Sequence, residues 1–232
     1  MRRPALAVLI VLVGAAAALA YVPPADRIAR TIADANRVHG RARPLALDIV
    51  VRGADGEAPL AKGTLLSDPA GTARLELAHA SGFLERQLRR GGQLEASRDR
   101  ERLDDPHPLV PPFWVLQAGD GAALQTRIAE LGGDPDAIAL GFEGDHDCYV
   151  LGGRTREASY WVDQESLDPV RIDVPGGVRY RLGPMRSQAG VQLPAWIQLE
   201  APGRPAVTLM IEGVRTGTLP PDAFAADWLA RP

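Results

Sequence analysis

From Leu45 onward apolar residues recur at every second position, in short runs closed by turn residues. Leu45, Leu47, Ile49 and Val51 alternate with Ala46, Asp48, Val50 and Arg52, and Gly53-Ala54-Asp55-Gly56 follows as a turn. At period two, successive side chains point to opposite faces, so each run is a strand with one face to bury. The same pattern gives strands at 60–67, 72–78, 83–89 and 93–98, separated by turns such as Asp68-Pro69-Ala70-Gly71 and Gly91-Gly92. Strands return at 137–142, 147–151, 158–163, 169–174, 178–182, 195–200 and 206–215. Connections this short make an antiparallel meander, because parallel strands need crossovers of roughly a dozen residues or more. The expected fold class is α+β and mostly β: one large antiparallel sheet of roughly a dozen strands, which curls at that size.

Helices frame and interrupt the sheet. Pro23-Pro24 precede a run in which Ile28, Ile32 and Ala35 share a face, and Gly40 is placed to end it. In the middle, Asp104-Asp105-Pro106-His107-Pro108 reads as a stiff loop. Leu109 to Gln117 is an apolar segment in which Pro111-Pro112 suit a helix start. A second short helix, 122–131, carries Leu124, Ile128 and Leu131 on one side and stops at Gly132-Gly133. Pro220-Pro221 lead into a short closing helix at 222–229, with Phe224 and Trp228 four apart. The mid-chain helices are placed in sequence to cover the concave face of a curled sheet.

The first twenty residues bear on location. Arg2 and Arg3 give a positive start, an apolar run follows from Ala5, and Ala18-Leu19-Ala20 has the small-x-small form of a signal-peptidase site. This reads as a secretory signal over 1–20, with a single mature domain over 21–232. The apolar run is shorter than the about 20 residues of a membrane span, the alternative being an uncleaved inner-membrane anchor. Cys148 is the only cysteine, so no internal disulfide supports the mature chain and a hydrophobic core must. The formal net charge of -3 gives no global basic field, so nucleic acid is not an expected partner.

The second half has a recognisable cadence. Tyr160-Trp161-Val162-Asp163-Gln164-Glu165-Ser166-Leu167-Asp168-Pro169-Val170-Arg171-Ile172-Asp173 resembles a hairpin of the LolA-like superfamily, in which a Trp-x-Asp strand turns back through a Pro-x-Arg/Lys strand. Gly190-Val191-Gln192-Leu193-Pro194-Ala195-Trp196-Ile197-Gln198-Leu199 is similar to that family's next element, and Leu219-Pro220-Pro221-Asp222-Ala223-Phe224 to its tail. The family comprises periplasmic lipoprotein carriers, their outer-membrane receptors and lipid-binding or sensor relatives. The resemblance implies an unclosed β-barrel around a helical lid, with an apolar cavity for acyl chains. It implies lipid or lipoprotein acyl chains as ligands, a membrane-bound lipoprotein-sorting partner, a monomer in the periplasm, no cofactor and no catalytic residue. The cadence does not single out an arginine to close the lid.

Leu109, Phe113, Trp114 and Leu116 are the candidate binding residues, lining or covering the cavity. Pattern alone equally allows an ordinary core segment. Arg86, Arg89, Arg90, Arg98, Arg100 and Arg102 make the preceding stretch basic, a solvated face or one that meets anionic lipid head groups. Asp145-His146-Asp147-Cys148 is the densest set of metal-type ligands, but alternate strand side chains diverge, so no metal is expected there. The histidines, His39, His79, His107 and His146, accompany no Gly-x-Ser-x-Gly elbow and no His-Glu-x-x-His motif. The expected function is a non-enzymatic carrier or receptor for lipid or lipoprotein acyl chains. The alternative is a membrane-associated sensor or protein-interaction domain on the same scaffold, with a filled interior.

Overall fold

The computed structural model describes residues 22–54, 56, 58–153 and 158–231. The segment read as an export signal, 1–20, lies outside the described residues. Among the described residues no helix is long and apolar enough to cross a membrane.

Helix α1 spans Ala25–Val38 and buries Ile28, Ala29, Ile32, Ala33 and Asn36 along one stripe. Gly40 ends it in the left-handed region, φ 68°. A side chain there is barred twice, since a Cβ would also stand 2.5 Å from the Gly190 carbonyl oxygen. The first meander follows: β1 (Leu45–Gly53), β2 (Pro59–Asp68), β3 (Thr72–His79), β4 (Leu84–Arg90), β5 (Gln93–Arg98) and the short β6 (Glu101–Arg102). A 3-10 helix, Phe113–Gln117, and helix α2, Gly121–Glu130, interrupt the strands. Asp120 caps α2, accepting from the Ala123 N–H at 2.7 Å.

The second set is β7 (Asp134–Glu143), β8 (His146–Gly152), β9 (Ser159–Asp163), β10 (Pro169–Val174), β11 (Val178–Leu182), β12 (Met185–Gln188), β13 (Val191–Pro194), β14 (Trp196–Glu200) and β15 (Val207–Thr216). Thirteen strands form one sheet in the order β6-β5-β4-β3-β2-β1-β15-β14-β11-β10-β9-β8-β7, every described pairing antiparallel. Sheet neighbours are consecutive in the chain except at two places, one being β14 beside β11, with β12 and β13 outside this sheet. The last strand, β15, lies beside the first, with Leu45 opposite Thr216 and Gly53 opposite Val207. That pairing splices the two meanders into one curled surface. The edges, β6 and β7, are not paired with each other, so the barrel stays unclosed.

One face of this surface is largely apolar, β4 excepted. Leu47 and Ile49 of β1, Leu65 of β2, Leu75 of β3, Val162 of β9, Ile172 of β10, Leu199 of β14 and Leu209 of β15 are all at most 1% exposed. They share a continuous core with Ile32 of α1, Phe113 and Trp114 of the 3-10 helix, and Leu124 of α2. Gly63 shows how closely β2 and β3 approach, for a Cβ there would stand 1.7 Å from the Glu76 carbonyl oxygen.

Three elements differ from the sequence expectation. The apolar segment after Pro111-Pro112 makes only a five-residue 3-10 turn, Phe113–Gln117. The closing helix expected at 222–229 is instead a run of turns followed by a second 3-10 helix, Ala226–Ala230. The hairpin of β12 and β13 forms a separate two-stranded sheet that the alternation did not reveal. The tail after β15 crosses the outer face of the first meander. Arg74 Nη1 donates to the Ala223 carbonyl at 2.6 Å, Arg90 Nη2 to that of Phe224 at 2.6 Å, and Ser97 Oγ to that of Leu229 at 2.7 Å. Arg74 also stacks over the Trp228 ring at 4.5 Å.

Candidate functional site

The segment that covers the curled sheet is held in two different ways. Its side chains are apolar and sealed: Leu109 is 5% exposed, Phe113 1%, Trp114 0% and Leu116 0%. The four predicted residues therefore lie together, packed in the layer between the helices and the inner sheet face. Burying a large apolar side chain stabilises by about 1.5–3 kcal/mol, so this lid adds substantially to the core.

Its backbone is held by polar side chains. From β4, Gln87 Nε2 donates to the His107 carbonyl at 2.7 Å and Gln87 Oε1 accepts from the Val110 N–H at 3.2 Å. Arg89 Nε donates to the Val110 carbonyl at 2.9 Å, and Arg89 Nη2 to the Tyr180 hydroxyl at 3.1 Å. Tyr180, on β11 across the sheet, donates to the Pro108 carbonyl at 2.6 Å. Burial raises the Tyr180 phenol above its usual range, against the pull of Arg89, so it stays a hydroxyl donor at neutral pH. The far end of the lid is held by Gln117, whose Nε2 donates to the Arg43 carbonyl at 2.7 Å and whose Oε1 accepts from Ser67 Oγ at 2.6 Å. Asn36 Nδ2 of α1 reaches the Ala118 carbonyl at 3.1 Å. Gln87, Arg89 and Gln117 are each buried, so these bonds form away from water.

Of these polar residues only Arg89 was singled out in the sequence reading, as part of the basic stretch. The basic stretch before the lid is not a single solvated face, because the period of two divides it. Arg89 turns inward to the lid and Arg86 and Arg90 outward to the tail, where Arg86 pairs with Glu76 at 2.8 Å. Arg98 lies 3.6 Å from Glu85 and 4.4 Å over the Phe83 ring. Leu84 and Leu88 fix the opposite parity in β4, so the signal for Gln87 and Arg89 was the alternation itself, in a strand whose inward positions are polar.

The cluster at 145–148 disperses. Asp147 is exposed and Cys148 is buried on the opposite face of β8, while His146 Nδ1 lies 2.8 Å from Asp163 Oδ2. Among the described residues no group of three or more His, Cys, Asp or Glu is arranged to hold a metal ion. Burial pushes the Cys148 thiol up to about 11, with Asp163, Glu143 and Asp147 acting in the same direction. The thiolate is the reactive form. In the folded protein Cys148 is therefore expected to resist a thiol-specific reagent at pH 8 and to react fully once the chain is denatured. Rapid labelling of the native protein would contradict this burial.

Two open clefts lie away from the lid. One of about 420 Å³ is bounded by Thr64, Arg74, Glu76 and Arg215, and one of about 650 Å³ by Arg43, Asp68, Pro221 and Phe224. None of the four predicted lid residues lines either cleft.

Solved structures share this unclosed antiparallel barrel. A LolA superfamily protein from Nitrosomonas europaea aligns over 90% of this chain and all of its own, with a TM-score of 0.53 and 16% identity. A DUF1329 family protein from Desulfovibrio piger aligns over 88% of this chain and 98% of its own, with a TM-score of 0.50 and 12% identity. No protein-family model and no curated protein matches the sequence. The fold is LolA-like.

Proposed function

We propose that this protein is a non-enzymatic carrier or receptor that takes lipid or lipoprotein acyl chains between the curled sheet and its lid. The observation that carries the reading is the division of labour in the lid. Apolar contact fills the interior, while polar bonds from Gln87, Arg89, Tyr180 and Gln117 fix the lid's position. An entering acyl chain offers the inner face the same contact that Leu109, Phe113, Trp114 and Leu116 supply, at about 0.8 kcal/mol per buried methylene. Exchange of lid for ligand is then nearly even in apolar burial. The latch bonds, each worth about 0.5–1.5 kcal/mol net, set how readily the lid lifts. In this reading the lid of the structure is closed.

The setting we propose is the periplasm, reached through cleavage after Ala20, with a monomeric domain over 21–232 that receives cargo from, or passes it to, a membrane-bound lipoprotein-sorting partner. A second reading, a sensor or protein-interaction domain on the same scaffold, is favoured by the sealing of Phe113, Trp114 and Leu116 in a continuous core. Native mass spectrometry of the protein from a periplasmic fraction separates the two. The carrier reading expects a chain beginning at Tyr21 that co-purifies with lipid or takes up a fluorescent acyl probe. A chain without lipid that binds no probe belongs to the second reading.

A further inference from the structure

A second arginine is sealed in the interior, and its hydrogen bonds are not met there. Arg41 follows α1, its backbone N–H donating to the Asn36 carbonyl at 2.8 Å, and its side chain is 0% exposed. Nη2 lies 3.3 Å from Asp168 Oδ1, long for a charge-assisted bond, which is normally about 2.7–2.9 Å. Nε and Nη1 have no hydrogen-bond partner among the described residues. The hydroxyl of Tyr160, on the inner face of β9, is equally buried and equally unpartnered. Arg41, Tyr160 and Asp168 lie in one another's electrostatic field, and Tyr160 belongs to the same apolar core as Ile28, Ile32 and Leu45. Buried polar groups are otherwise almost always satisfied, and a buried cation most of all. In these two side chains the unpartnered atoms are all donors, two guanidinium nitrogens and a hydroxyl.

We propose that Arg41 and Tyr160 anchor the carboxylate of a fatty acid whose alkyl chain lies along the apolar inner face. This rests on the carrier reading and names its ligand. A carboxylate supplies acceptor oxygens for Nε or Nη1 and for the phenol, and its charge complements the guanidinium. Asp168, 21% exposed at the rim, holds the guanidinium from one side only. The alkyl chain then projects into the layer that holds Ile32 and Leu45.

The test compares cis-parinaric acid with its methyl ester, which keeps the chain and a carbonyl oxygen but loses the charge. The acid is expected to bind the wild-type protein about tenfold tighter than the ester, as befits a charge-assisted bond. Tyr160→Phe and Arg41→Met should each weaken acid binding more than ester binding and so reduce that preference, Arg41→Met by the larger factor because it removes the charge. Tyr160→Phe deletes only an unpartnered hydroxyl, so it gives the result even if Arg41→Met does not fold. Equal affinity for acid and ester, or a preference that Tyr160→Phe leaves undiminished, overturns the anchor and leaves the carrier reading standing. Failure of the wild type to bind either probe overturns both.

Discussion

Trp114→Ala should lower stability by about 3–5 kcal/mol, the usual cost of emptying a large aromatic site in a core that cannot collapse into the space. Trp114 is 0% exposed and shares its core with strands from both meanders and with α1 and α2. Its indole N–H has no hydrogen-bond partner among the described residues, so the ring contributes by volume and contact alone. Trp114→Phe should therefore cost far less, below about 1.5 kcal/mol if neighbours adjust to the smaller ring. Urea unfolding of the pair measures this, with the transition midpoint as the readout. Equal, small losses in both variants would show that the 3-10 segment is not part of the cooperative core. A charge at Phe113 or Trp114 is a poor binding test for the same reason, because it acts on folding first.

The fold was legible in the sequence because period two is a local signal, and thirteen paired strands repeat it. Turn residues such as Asp68-Pro69-Ala70-Gly71 set the strand ends, and Gly40 and Gly132 both stop helices in the left-handed region where glycine is favoured. The splice of β15 onto β1 was not legible, since it joins residues at opposite ends of the chain and no local pattern encodes it. The site divided in the same way. Leu109, Phe113, Trp114 and Leu116 announced themselves as an apolar run between prolines, and the structure brings all four into one buried layer. What holds the lid in place did not. Gln87 and Arg89 are separated from Val110 by more than twenty residues of sequence, and Tyr180 by seventy. A polar residue in a strand gives no sign, taken alone, of which backbone carbonyl it will meet. The outward arginines show the contrast: Arg171, Arg179 and Arg181 on the second half are each matched to a carboxylate, Glu143 or Asp173.

Arg89→Met should loosen the lid and raise the apparent affinity for an acyl probe, although it weakens the protein. The variant keeps an unbranched apolar stem in the buried site and removes the guanidinium. It abolishes the bond to the Val110 carbonyl at 2.9 Å and the donation to the Tyr180 hydroxyl at 3.1 Å. Hydrogen bonds made by a charged group contribute about 1.5–3 kcal/mol, and that is the expected loss of stability. The Val110 carbonyl still accepts from Tyr180 at 3.2 Å, which keeps the loss from being larger. Under the carrier reading the same bonds oppose lid opening. Apparent affinity scales with the fraction of molecules whose lid is open, so each 1.4 kcal/mol taken from the latch raises it about tenfold. Tyr180→Phe should act in the same direction by a smaller factor, because it spares the Arg89–Val110 bond. Probe titrations and urea unfolding on the same variants distinguish a latch from a plain core contact. A latch gives lower stability together with tighter and faster uptake. Lower stability with unchanged uptake would mean that Arg89 only helps to fold the chain, and that the lid, if it moves, turns about other bonds.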